Sequence, residues 1–454
     1  MVSSFLVQSR GARWRRFRAA SPPPDPQGGS VLTSGSTRRE SRRPRRALSR
    51  GFLAACIFTA ASVTLSLAGI TSAAASSSGK DPAKGTPVTI GLISDTGSAG
   101  GTTGALVEQG AKAAVAYENQ YVGGLEGHKI DLYVCENQNT PAGGQTCAND
   151  MVQKGVVAVT VPFTGQGQTE VPTITAAGIP YITLSGASTA ELTTSGAFDL
   201  EGGFPADLGA YALSAKAHGY KHVTLLVDNV PAAIQGAQLL GALVFKAAGV
   251  AYTVIPVDTG TADMSPQLQS AVSGGADAVG MVGDVTFCSS FLQAYNTLDL
   301  KLPRYVLSTC LDPSILDSAT LDKALTGSYT ATTTNANKSD LALYASIIKK
   351  YAPKVSTNPN VSANQAGGVA AVLALAAIMK GSTQPVTAAG IKTQIETAKN
   401  VVIPLSGGLT FTCNGMAIPL LKSVCSSTAG IGVIQSGKVG KVAHIKVYNP
   451  TPLF

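Results

Sequence analysis

The residues with which this chain could do chemistry are few and scattered. Beyond residue 75 stand six cysteines, Cys135, Cys147, Cys288, Cys310, Cys413 and Cys425, and four histidines, His128, His218, His222 and His444. No C-x-x-C occurs and no cysteine lies at metal spacing from a histidine, so neither zinc nor another metal is expected. The acids stand singly, which gives a paired-carboxylate hydrolase no support. There is no G-x-S-x-G elbow, and no Ser, His and acid suggest a triad. Gly165-Gln166-Gly167-Gln168-Thr169 sits where a dinucleotide fingerprint would, but Glu170 occupies the third glycine's place, and no P-loop G-K-[ST] follows anywhere. Neither catalysis nor a cofactor is expected. Together these gaps favour binding over turnover.

What remains is a set of polar, small-residue loops. Ser94-Asp95-Thr96-Gly97, Phe163-Thr164-Gly165-Gln166 and Ser185-Gly186-Ala187-Ser188-Thr189 lie in the first half of the mature chain. Asp228-Asn229, Gly283-Asp284 and Ser308-Thr309-Cys310 lie in the second. Each follows a short β-rich run, and open α/β sheets bind ligands outside the carboxyl ends of their strands. Backbone N–H groups at the helix starts beyond them suit an anionic group such as a carboxylate. The same residues also cap helices and close turns. Their recurrence in both halves points to a shared cleft, with Asp95, Thr164, Gly165, Gln166, Ser185, Gly186, Ala187, Ser188, Asp284 and Thr309 as its candidate ligand-binding residues.

The elements that must position these loops alternate. Strands are expected at 88–93, 130–134, 156–161 and 180–184, with helices at 105–121, 141–154 and 169–177. After Gly202-Gly203-Phe204-Pro205 the series restarts. Helices 206–218, 232–248, 265–273 and 287–298 then alternate with strands 223–227, 252–257, 278–282 and 305–307. Such alternation means βαβ units and parallel sheets, here an α/β fold of two Rossmann-like lobes. Helices at 341–351, 363–379 and 388–398 and a β-like tail complete the chain. The apolar run Val369–Met379 is too short to span a bilayer and reads as a buried helix. An even number of cysteines in an exported chain implies disulfides but leaves their connectivity open. The sequence-local pairs 135–147, 288–310 and 413–425 are expected, each within one lobe.

Charge separates the leader from the rest. The chain carries 34 Lys+Arg against 26 Asp+Glu, but residues 1–50 hold 12 arginines and two acids. The remainder has 22 bases against 24 acids, and Arg304 is its single arginine. A nucleic-acid-reading surface would want arginine forks on one face, so that class is excluded for the folded part. Residues 1–75 read as a disordered basic extension followed by an export signal: arginines 38–50, an apolar run Gly51–Gly69, then Ser72-Ala73-Ala74-Ala75 with cleavage after Ala75. An uncleaved membrane anchor is the alternative. A Ser/Gly/Lys/Pro linker covers 76–87.

Several stretches of the first lobe resemble the type I periplasmic solute-binding proteins of branched-chain amino acid ABC importers. They are Val88-Thr89-Ile90-Gly91-Leu92, Ala111-Lys112-Ala113-Ala114-Val115-Ala116-Tyr117-Glu118-Asn119, Gly123–Leu132, Gly178-Ile179-Pro180-Tyr181-Ile182 and Ser188–Thr193. The resemblance covers about Val88 to Val447. It implies two lobes, 88–203 with 330–405 and 204–329 with 406–454, joined by three crossings near Phe198–Asp207, Gly327–Asn335 and Pro404–Thr412. The ligand would lie between them and be enclosed by hinge closure. In amino-acid binders the Thr164–Gln166 loop and the Ser185–Ser188 turn would hold the ligand's carboxylate and ammonium. The second lobe departs from that pattern: no aromatic stands near Ala232, and Thr309-Cys310 replaces the glutamate that would pair with the ammonium, leaving Asp284 as substitute. This departure implies a less polar or differently charged ligand than a branched-chain amino acid.

The expected function is therefore an extracytoplasmic, monomeric solute-binding protein, from the periplasm or cell surface of a bacterium, that captures an amino acid or related small molecule. Its partners would be the ligand and the permease subunits of an ABC importer, without nucleic acid. Membrane contact would come through the permease or an uncleaved anchor. A ligand-sensing domain of a signalling system with the same fold is the first alternative. A secreted α/β enzyme is the second.

Overall fold

The structure is a computed structural model that describes residues 81–96, 103–332, 337–354, 363–435 and 442–454. The expected basic extension, export signal and first linker residues lie outside them. The first described strand begins where β-branched residues replace the linker. Strand β1 (Gly85–Ser94) is fully buried from Ile90 onward, as a central parallel strand covered on both faces must be. Around it β2 (His128–Glu136), β3 (Val159–Val161), β4 (Tyr181–Thr183) and β5 (Ala197–Asp199) form a five-stranded sheet in the order β2-β1-β3-β4-β5. Every pairing in it is parallel. Helices α1 (Thr103–Tyr117), α2 (Pro141–Lys154), α3 (Gly167–Ala176) and α4 (Thr189–Thr193) make the crossovers.

The second sheet repeats the plan. After α5 (Gly203–His218) come β6 (His222–Asp228), α6 (Pro231–Gln235) and α7 (Ala242–Ala248), β7 (Ala251–Val257), α8 (Ser265–Ser273), β8 (Ala278–Val282), α9 (Val285–Thr297) and β9 (Arg304–Val306). Short helices α10 (Pro313–Leu316) and α11 (Ala319–Leu325) lead to β10 (Tyr329–Thr332). The chain then runs through α12 (Lys338–Tyr351), α13 (Ala363–Met379) and α14 (Ala388–Thr397) on the first lobe. It continues in the small pair β11 (Val401–Val402) and β12 (Thr410–Phe411). Strands β13 (Ala429–Ile434) and β14 (Val442–Tyr448) finally return to the second sheet as antiparallel edge strands. Its order is β14-β13-β10-β9-β8-β6-β7.

Two expected helices contain a wider turn. Glu118–Val122 continues α1, and Gly236–Gly241 joins α6 to α7, each as a π-helical segment. Helices α1 and α13 pack through glycine: a Cβ on Gly368 would lie 2.0 Å from the Val107 carbonyl oxygen, and one on Gly110 would lie 2.1 Å from that of Gln365. Only backbone without side chains permits that approach.

The crossings define the hinge. One passes from β5 to α5 through Leu200–Gly202, where Gly202 adopts φ 83° and a Cβ would meet the Ser426 carbonyl oxygen at 2.4 Å. The last runs alongside it. Val424 bridges Asp199, the Cys425 N–H donates to the Asp199 carbonyl, and β13 starts at Ala429. It lies near 426–428 rather than at 404–412, because Phe411, Cys413 and Cys425 still pack on the first lobe's core. Likewise β10 sits wholly in the second sheet, pairing Tyr329 with Tyr305. The three expected disulfides are present: Cys135–Cys147 ties β2 to α2, Cys288–Cys310 ties α9 to the turn after β9, and Cys413–Cys425 closes the loop before the last crossing. Among the described residues no helix is long and apolar enough to cross a membrane.

Candidate functional site

The carboxyl ends of the strands face one another across a cleft of about 230 Å³. Its first-lobe wall carries Asp95 beyond β1, Asn139 before α2, Phe163 and Gly165 beyond β3, and Ser185 and Ala187 beyond β4. The second-lobe wall carries Asp228 and Val230 beyond β6, Val282 and Asp284 at the end of β8, and Ser308 and Thr309 beyond β9. The first crossing supplies Glu201, the start of α5 Phe204 and Asp207, β10 Ala331, and the segment after β11 Pro404. Both lobes and the crossings therefore line a single space.

Behind the first wall is a buried polar network. Asn137, with no exposed surface, places Nδ2 2.6 Å from Asp95 Oδ1, 2.8 Å from Glu170 Oε1 and 3.1 Å from Thr164 Oγ1. Thr164 Oγ1 donates to Asp95 Oδ1 at 2.7 Å, and the Gly165 N–H donates to Asp95 Oδ2 at 2.8 Å. Tyr181 reaches Glu170 Oε2 at 3.1 Å and Glu191 Oε1 at 3.4 Å. Ser188 caps α4 in a capping box with Glu191, whose Oε2 accepts from the Ser188 hydroxyl and N–H and from the Ala187 N–H. Burial pushes all these acids up. Glu170 rises to about 8, through desolvation first and then the charge of Asp95. Asp95 and Glu191 are raised as well, by desolvation first, with the hydrogen-bond donors around them opposing it.

The second wall is built differently. Asp284 caps α9, accepting the Phe287 N–H at 2.8 Å, and Thr309 Oγ1 donates to the Gly283 carbonyl at 3.2 Å. Asp228 Oδ1 accepts from Thr259 at 2.6 Å. Burial raises both acids, and the charge of Asp284 raises Asp228 further. Asp207 stands in the second turn of α5, a helix otherwise apolar there and buried at Ala206, Leu208, Ala210 and Tyr211. Among the described residues nothing hydrogen-bonds its carboxylate, and burial followed by the charge of Glu201 pushes it up to about 7.

Of the candidate residues read from the sequence, Asp95, Gly165, Ser185, Ala187, Asp284 and Thr309 line the cleft. Thr164, Gln166, Gly186 and Ser188 do not. Thr164 and Ser188 have no exposed surface and spend their hydroxyls on Asp95 and Glu191, while Gln166 Nε2 reaches Asn139. Sequence reasoning passed over Glu201, Phe204 and Asp207 because they lay in a stretch read as a crossing. A lone acid in an apolar helix start was the available signal. No group of three or more His, Cys, Asp or Glu is placed to hold a metal ion among the described residues.

The profile of the periplasmic binding protein family matches residues 87–418. The chain belongs to that family. The family is one of extracytoplasmic ligand-binding proteins, and the sequence resemblance to its type I, branched-chain amino acid members is borne out. Among similar solved structures is a branched-chain amino acid ABC transporter protein from Thermus thermophilus with bound valine. It is 18% identical, covers 81% of this chain and 97% of its own, and has a TM-score of 0.67. A leucine-binding protein from Thermotoga maritima is 17% identical, covers 80% and 99%, and has a TM-score of 0.64. A solute-binding protein of an ABC transporter from Rhodopseudomonas palustris, in complex with p-hydroxybenzoic acid, is 14% identical, covers 81% and 98%, and has a TM-score of 0.65. At these identities the likeness shows the fold. No curated protein matches the chain.

Proposed function

We propose that the protein captures a small molecule between its two lobes and delivers it to the permease of an ABC importer, without converting it. The observation that carries this reading is the cleft itself. It lies at strand carboxyl ends, is lined from both lobes, and is bordered by Glu201 of the first crossing and Phe204 at the start of α5, so that hinge movement would close it on a ligand. The similar proteins of known structure include ones bound to valine and to p-hydroxybenzoic acid, and support the same use of the fold. Export by the basic, apolar and Ala-rich leader fits that role.

The reading is tested by a thermal-shift screen of the mature protein over amino acids, amides, amines and aromatic acids, followed by uptake of each hit in cells with and without the gene. A ligand that binds the folded state alone raises the melting temperature. A hit whose uptake depends on the gene is expected. A ligand that is bound but whose uptake is unchanged would favour the sensing alternative, and turnover lost on substitution in the cleft would overturn the reading.

A further inference from the structure

We infer that the cleft selects a small organic cation lacking a carboxylate, an amine or quaternary ammonium with an apolar body, rather than an amino-acid zwitterion or an acid. The inference rests on the solute-binding reading and deepens it. Three independent features of the site lead to it.

The first is charge. Asp95, Glu201, Asp207, Asp228 and Asp284 border the cleft, and among the described residues lining it there is no lysine, arginine or histidine. Anionic groups withdrawn from water need a positive or donating partner. Asp95 has its partners in Asn137, Thr164 and Gly165. Asp207 has none among the described residues, and it faces the cleft between a second acid and an apolar wall. A ligand cation would supply the missing counter-charge.

The second is the fate of the carboxylate-binding donors. The two turns beyond β3 and β4 offer hydroxyls and N–H groups of the kind that hold a ligand's carboxylate. Here the protein's own acids fill them: Asp95 takes Thr164 Oγ1 and the Gly165 N–H, and Glu191 takes the Ala187 N–H, the Ser188 N–H and the Ser188 hydroxyl. A ligand carboxylate entering there would displace an internal one and face Asp95 as a like charge.

The third is the remaining lining. Val107, Phe163, Leu184, Phe204, Val230 and Leu307 give the space an apolar surface that suits the apolar body of such a cation.

The test uses sets sharing one carbon skeleton and differing in charge: leucine, isopentylamine and 4-methylpentanoate; tyrosine, tyramine and 4-hydroxyphenylpropanoate; and choline. Each is titrated calorimetrically into the mature protein. At least one amine or choline is expected to bind tenfold or more tightly than its zwitterion, with no heat from the acids. Asp207→Asn is expected to weaken that binding at least tenfold while melting no lower than the parent. If folding of that variant fails, Asp284→Asn, which keeps a capping oxygen, serves the same purpose with a smaller loss. Zwitterions or acids binding as tightly as amines would overturn the inference and leave the solute-binding reading intact. So would amine affinity untouched in both variants. No binding by any ligand class in the wider screen would remove the solute-binding reading, and this inference with it.

Discussion

The two walls of the cleft come from the same βαβ plan and end in opposite states. On the first lobe, Asp95 at the cleft wall and Glu170 and Glu191 behind it are bound by Asn137, Thr164, Tyr181 and Ser188. On the second lobe and hinge, Asp207, Asp228 and Asp284 face the open space, and the turn beneath them is held by the Cys288–Cys310 disulfide. One wall uses its polar groups to define its own shape. The other gives Asp228 and Asp284 internal partners, leaves Asp207 without a hydrogen bond among the described residues, and carries a covalent tie. The lesson is that a polar loop at a strand end is not by itself a binding loop; what decides is whether the protein has already spent its donors and acceptors.

The contrast can be broken most severely at Asn137. Asn137→Ala removes the amide shared by two buried carboxyls and is expected to cost about 3 kcal/mol or more in urea unfolding, since each buried group left unsatisfied costs about 1–3 kcal/mol. A loss below about 1 kcal/mol would mean the inward network is not what holds that wall. Next, Cys288→Ser with Cys310→Ser opens a loop of sequence separation 22 and should cost about 3 kcal/mol by chain entropy. It should also weaken ligand binding, since it loosens the turn carrying Ser308 and Thr309. Unchanged affinity would show that the second wall needs no tie.

A pH series sharpens the comparison with a smaller effect. Glu170 has a folded-state value of about 8 against an ordinary 4.5, so the folded protein holds the extra proton between those values. Stability is then full below about 4.5 and falls as pH rises through about 8. The carboxyls facing Glu170 are Asp95 and Glu191, which are raised as well, and Tyr181 stays protonated. The melting temperature should therefore be higher at pH 5.5 than at pH 8. Glu170→Gln should flatten that slope and raise stability at pH 8 by on the order of 2 kcal/mol. A slope of the opposite sign would mean that Glu170 is ionised in the folded state. The smallest effect belongs to the open wall: Asp207→Asn should change unliganded stability by less than about 1 kcal/mol, because no hydrogen bond is lost. A large destabilisation there would mean that Asp207 is structural.

Local signals were legible where a single physical rule governed them. Pro141, Thr140 and Gly155 bound α2 as proline, N-cap and left-handed C-cap, and the helix spans the range read from sequence. Helices α8 and α13 and strand β8 also match their expected ranges. Strands β5 and β10 went unread because both overlap stretches expected as crossings, 198–207 and 327–335, and their place in the sheets is decided by tertiary packing. In the site, Ser188 and Glu191 stand at capping-box spacing, and the structure shows that this box, not the cleft, takes the Ser188 hydroxyl. The convergence of Glu201 and Asp207 with Asp228 and Asp284 could not be seen from acids that stand singly along the chain.

The sequence alone determined the alternation of strands and helices and the family, because these depend on periodicity, spacing and short motifs. Tertiary structure decided which polar residues face the ligand. Hydrogen-bonding capacity is finite: once Asp95 and Glu191 fold onto the first lobe's donors, those donors are lost to a ligand, and among the described residues Asp207 on α5 is left facing the cleft without a hydrogen bond.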